Sequence, residues 1–102
     1  MPIRHKDYFE TGELENVTEE IVFEVLYHLI HEEHIEAPDD PTCIQDVAAI
    51  ALNALPQKYA VSYLDKVNPR PERLEMLEDL RKKAERELRR AIGIVLERPH
   101  NR

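Results

Sequence analysis

Between Asn16 and His34 the chain reads NVTEEIVFEVLYHLIHEEH, and its apolar residues recur at helical spacing. Val22, Val25, Leu26, Leu29 and Ile30 fall on one stripe of a 3.6-residue period, which predicts a helix. Val17, Ile21 and Phe23 widen that stripe, so the first half of the helix is expected to be covered on more than one side. Asn16 suits the N-cap, and Glu19 follows it at capping-box spacing. The segment IEAPDDPT reads as a loop. Thr42 is expected to cap a second helix, whose stripe is Ile44, Val47, Ala48, Ala51, Leu52 and Leu55. Its alanines allow another helix to approach closely. Leu55 precedes Pro56, which biases it away from the helical region and sets the expected end of the helix there.

After Pro56 the period changes. Tyr59, Val61 and Tyr63 alternate with Ala60, Ser62 and Leu64, a short strand pattern over 59–63 and the one convincing strand signal in the chain. A lone strand leaves backbone donors and acceptors unpaired. With no obvious partner in the same chain, the expectation is pairing with a second copy across a two-fold axis. The segment DKVNPRPE is a second loop. Pro71 suits the first position of a last helix, which is expected to run to Glu97, far longer than the usual 11–12 residues. Leu77, Leu80, Ala84, Leu88, Ala91 and Val95 form its seam. Acid-before-base pairs such as Glu78–Lys82, Asp79–Lys83 and Glu85–Arg89 stand four apart on its outer face. The fold expected is mainly α: a small helical domain with one short strand, paired across a dimer, and a long C-terminal helix. Residues 1–13 are polar and irregular and read as a flexible arm, which leaves 14–102 as a single domain.

Composition adds constraints. The 102 residues suit one domain, and 34% charged residues beside 42% hydrophobic ones allow a modest core. The net charge of −7 is unevenly placed. Residues 1–65 carry 3 Lys/Arg against 14 Asp/Glu, a net of −11, and residues 66–102 carry 11 against 7, a net of +4. The two parts can attract each other within a chain or across a dimer, and the overall acidity argues against direct nucleic-acid binding. One cysteine, Cys43, excludes an internal disulfide framework. No apolar stretch approaches the roughly 18 residues of a membrane span, and the first residues lack a signal core. The expected address is the cytoplasm.

His28, His31 and His34 lie three apart on the flank of the first helix, with Cys43 beyond a carboxylate-rich loop. Zinc takes such ligands, but steps of three fan around the helix instead of converging, so a solvated flank is the preferred reading and no metal or other cofactor is expected. Cys43 is expected to be a small buried residue. No Ser/His/Asp arrangement or Gly-rich phosphate loop is present, and acids adjacent on a helix point apart, so no enzymatic activity is expected. Lys58, Lys66, Arg70 and Arg73 cluster around the strand and the loop after it, with Tyr59 and Tyr63 nearby. Such residues can be ordinary surface charges. They can also clamp phosphates, stack on a base and read a guanine edge.

The segment DVAAIALNALPQKYAVS, residues 46–62, resembles the signature of the late competence development protein ComFB family, which reads roughly D-x-x-A-x-A-L-N-x-L-P-P-x-Y. Asp46, Ala49, Ala51, Leu52, Asn53, Leu55, Pro56 and Tyr59 fit it, and Gln57 stands where a second Pro is common. ENVTEEIV resembles the family's opening N-x-x-E-x-x-V helix. The resemblance covers residues 14–63, and the long basic last helix reads as an addition to the family pattern. It implies a small, mostly helical dimer of the bacterial cytoplasm. Many members hold zinc through several cysteines before the second helix, of which this chain keeps Cys43 alone. Some members resemble second-messenger receptors that bind cyclic di-GMP and act on other proteins. The functional expectation is therefore a non-enzymatic dimeric regulator that binds cyclic di-GMP and signals to a protein partner. The alternatives are a protein–protein adaptor without a small ligand and a zinc-stabilised structural domain. The chemistry of the residues, not the resemblance, nominates the ligand set. Lys58, Arg70 and Arg73 meet the phosphates or a guanine edge, Asp65 meets the guanine donors, and Tyr59 gives a stacking face. Asn53 holds the Pro56 loop or touches the ligand.

Overall fold

The computed structural model describes residues 15–60 and 70–98. The expected arm, strand positions 61–63 and the nominated Asp65 lie outside them. The described chain runs β1 (Glu15–Asn16), α1 (Val17–Tyr27), a π-helical turn (His28–Glu32), α2 (Pro41–Asn53), β2 (Tyr59–Ala60) and α3 (Pro71–Glu97).

Asn16 caps α1 as its spacing predicts: its side-chain carbonyl accepts from the Glu19 amide at 3.0 Å. The α-helix stops earlier than the hydrophobic pattern suggests. From His28 it widens into the π turn, closed by the Glu33 amide donating to the His28 carbonyl at 3.0 Å. His34 then takes a left-handed conformation, φ 56°, one that His tolerates better than most non-glycine residues. That reversal lets the Ile35 amide reach the Leu29 carbonyl at 3.0 Å. Leu29 is fully buried and Ile35 packs against the core.

The cap of α2 is Asp40, not Thr42. The Asp40 carboxylate accepts from the Thr42 amide at 2.8 Å, and Pro41 fills the first helical position, where a missing N–H costs nothing. The helix ends at Asn53, two residues before the expected limit. Ala54 and Leu55 close a tighter turn through i→i+3 bonds to Ala51 and Leu52.

The strand at Tyr59 has a partner in its own chain. β1 pairs with β2 antiparallel, Glu15 opposite Ala60 and Asn16 opposite Tyr59. This corrects the expectation that no intrachain partner exists. The reason is length: a two-residue strand directly before a helix carries no alternation from which to read it.

The last helix runs over Pro71–Glu97 as expected, with Pro71 in its first turn. Its buried face is Leu80, Ala84, Leu88, Ala91, Ile92 and Val95. That seam packs on both α1 and α2, so it is the floor of this domain's own core and is not left for a second chain. Ala51, Ala84 and Ala91 are fully buried, small residues that let α2 and α3 come close. Leu29, Leu88, Val22 and Val47 fill the space around them. Truncating a leucine in such a site to alanine costs about 2–5 kcal/mol.

Candidate functional site

The start of α1 is tied to the loop after α2 by one buried hydroxyl. Thr18, completely buried, donates to the Pro56 carbonyl at 2.7 Å and accepts from the Lys58 amide at 2.9 Å. The Val17 amide donates to the Lys58 carbonyl at 2.7 Å. Gln57 locks the other side. It accepts from the Asn16 amide group at 2.9 Å and donates to the Leu52 and Leu55 carbonyls at 2.8 and 3.1 Å. A proline at this position could make none of these bonds. Gln57 and Thr18 hold this loop, and Asn53 stands exposed at the last residue of α2.

This pinning presents Lys58 and Tyr59 outward, with Tyr59 57% exposed. Beside the same turn, α1 and α3 enclose a cleft of about 420 Å³. Val17, Ile21 and Leu77 give it an apolar floor. Glu20 and Glu24 stand on the α1 wall, and Arg73 and Arg81 on the α3 wall. The Glu24 carboxylate holds Arg81 Nη2 at 2.7 Å and thereby takes one wall charge out of play. Arg73 is different: its Nε is buried and has no hydrogen-bond partner among the described residues. Arg70 is the exposed N-cap of α3, three residues before Arg73. Of the nominated residues, Lys58, Tyr59 and Arg73 thus share the start of α1 as a neighbour. Sequence reasoning missed Glu20, Glu24 and Arg81. Their signal is present, since Arg73, Leu77 and Arg81 recur every four residues, as do Glu20 and Glu24, but it looks like any exposed helix face until the helices are docked.

A second cleft of about 450 Å³ continues beyond the Glu24–Arg81 pair and is lined in part by His28, Glu32, Lys82 and Glu85. Of the histidine flank, His28 lies here. His28 meets Glu32 through Nδ1 at 2.6 Å and Glu33 through Nε2 at 2.9 Å. Carboxylates accept only, so both contacts together need both ring nitrogens to donate, which is the imidazolium. The Glu32 hydrogen bond foremost, helped by Glu33, raises the His28 pKa above its ordinary 6.5. Glu33 in turn reaches Arg89 Nη2 at 2.8 Å, and Arg89 followed by His28 lowers its pKa below 4.5. His31 packs its ring on Tyr27 with centroids 4.5 Å apart. Cys43 is a buried core residue. Among the described residues no group of three or more His, Cys, Asp or Glu side chains is gathered as a metal site would need, and no helix is long and apolar enough to cross a membrane.

The sequence model of the late competence development protein ComFB family matches residues 15–99. The chain belongs to that family. The match includes the whole of α3, so the long C-terminal helix is part of the ComFB pattern and not an addition to it. No curated protein matches the chain significantly. Within the ComFB chain, the Asn16–Gln57 and Thr18–Pro56 bonds show how the two recognisable segments, the opening helix and the L-N-x-L-P turn, support each other: each supplies the hydrogen-bond partners of the other.

Proposed function

We propose that this ComFB protein is a non-enzymatic, dimeric cytoplasmic regulator that binds a cyclic dinucleotide, cyclic di-GMP, and signals to a protein partner. The observation that carries this reading is the grouping of Lys58, the exposed Tyr59 ring and Arg73 around the start of α1. A ligand with two phosphates and two purines calls for cations and a stacking face, and those residue types supply both. Arg70, exposed at the N-cap of α3, adds a cation, and Asp65 adds an acceptor for guanine donors. A two-fold symmetric ligand suits a two-fold symmetric dimer. The core seam and the strand Tyr59–Ala60 find partners within the chain, so dimerisation rests on the acidic–basic division of the chain.

Calorimetry with cyclic di-GMP tests the ligand. Wild type binds, affinity falls with added salt, and Arg70→Ala weakens binding about 10- to 100-fold, the effect of losing one charge-assisted contact. Absence of binding by wild type rejects the ligand, and equal binding by the variant rejects the role of Arg70. A stable monomer in sedimentation at micromolar concentration rejects the dimer. A protein–protein adaptor without a small ligand is the second reading. It is favoured by Phe23 and Tyr27, four residues apart on α1 and 48% and 61% exposed.

A further inference from the structure

We infer that the outward face of α1, the ridge of Phe23 and Tyr27 with carboxylates on both flanks, is the surface on which a protein partner docks, and that the docked segment is a basic amphipathic helix. The inference rests on the reading that this chain signals to a protein partner, and adds where that partner sits and what its chemistry is. The first observation is the pair of rings. Phe23 and Tyr27 stand one turn apart and are 48% and 61% exposed, while the buried side of the same helix is filled by Val22, Val25 and Leu26. The core does not need the two rings, and aromatic side chains are enriched at the centres of interfaces. The second is the order of the ridge. The Tyr27 ring lies against the His31 ring with centroids 4.5 Å apart, so a partner that covers it immobilises little that is not already held. The third is the charge. At about 3.6 residues per turn, Glu19 falls on one flank of the Phe23–Tyr27 line, and Glu20 and Glu24 fall on the other, towards α3. All three are exposed. Arg81 answers Glu24 from α3 at 2.7 Å, but α1 carries no cation of its own, and no Lys or Arg occurs between Lys6 and Lys58. A frame of that sign attracts Lys and Arg and repels an anionic bilayer or a nucleic acid. The occupant is helical because the face is a convex i, i+4 ridge, which fits the groove of another helix and offers no sheet edge for an added strand.

The probe is a synthetic helical peptide with leucines at i, i+3, i+4 and i+7 and lysines elsewhere. Two controls go with it: a peptide of the same composition with the stripe shuffled, and one with glutamate in place of lysine. Fluorescence anisotropy gives the affinities, and nitrogen-15 NMR of the full chain gives the place. Wild type is expected to bind the striped basic peptide at least about 10-fold more tightly than either control, with the largest amide shifts on α1 around Phe23 and Tyr27. Phe23→Ala and Tyr27→Ala each weaken binding about 10-fold or more, as loss of an aromatic anchor does, whereas Leu74→Ala, at an exposed leucine of α3, leaves it unchanged. Circular dichroism checks folding. If a ring variant unfolds, Glu19→Lys, which keeps both rings and reverses the charge on the flank away from α3, is read in its place and is expected to weaken binding too. No binding of the striped peptide, equal binding of the shuffled or acidic one, shifts centred elsewhere, or unchanged affinity in the α1 variants overturns the proposal. So does a dimer that Phe23→Ala dissociates in sedimentation, because a second copy then occupies this face. Failure of the peptide leaves the cyclic dinucleotide reading standing, and failure of cyclic di-GMP to bind in calorimetry leaves the docking face standing.

Discussion

Removing the Thr18 hydroxyl tests the account of how the site is held. Thr18→Val keeps nearly the same shape in a fully buried position and deletes two hydrogen bonds, to the Pro56 carbonyl at 2.7 Å and from the Lys58 amide at 2.9 Å. A hydrogen bond contributes about 0.5–1.5 kcal/mol net, and a backbone group stranded without a partner costs more. Both bonds are only partly buried, so water recovers some of the loss, and the expected cost is about 2–3 kcal/mol. For a domain of this size that lowers the melting temperature by roughly 8–24 °C. Thr18→Ser is the control: it keeps the hydroxyl and loses one methyl group, about 0.8 kcal/mol of burial plus a small cavity. Denaturant unfolding followed by circular dichroism gives both values, provided the slope with denaturant is unchanged. If Thr18→Val stays within about 0.5 kcal/mol of wild type, or Thr18→Ser is the more damaging change, the hydroxyl is not the pin described.

Two further outcomes are expected. The His28 ring should titrate above 6.5 in proton NMR and fall back in Glu32→Gln, because the Glu32 hydrogen bond is the main cause of the rise; a midpoint at or below 6.5 in wild type contradicts the paired imidazolium. A raised histidine pKa stabilises fully below 6.5 and is lost as pH rises through the raised value, while Glu33, lowered from 4.5, stabilises above 4.5 and is lost as pH falls through its depressed value, so the network supports the fold best between the two. Gly93→Ala should raise stability by about 0.5–1 kcal/mol in thermal unfolding, since the glycine lies inside α3 with open space around an added Cβ; a destabilised variant would mean that something covers this exposed position.

The sequence by itself determined the helices and their faces. The 3.6-residue stripe of α1, the alanine-rich stripe of α2 and the seam of α3 follow from side-chain type at fixed spacing, and Asn16 and Pro71 mark helix starts through local hydrogen bonding and a fixed φ. The family was legible too, because the opening helix and the L-N-x-L-P turn are contiguous runs. Tertiary structure decided whatever depends on residues far apart in the chain. Glu15–Asn16 became a strand only because β2 lies beside it, with some forty residues between the partners. The seam of α3 found its cover in α1 and α2, a question that periodicity leaves open because an apolar face is the same whichever chain covers it. Of the nominated ligand set, Lys58, Tyr59 and Arg73 were brought to the start of α1, and the loop at Pro56 is held by Thr18 and Gln57. Glu20 entered opposite Arg73 through the docking of α1 on α3. A side chain's chemical type is local and can be read along the chain, but a cleft wall is a relation between helices, and only the packed core fixes which charges face each other across it.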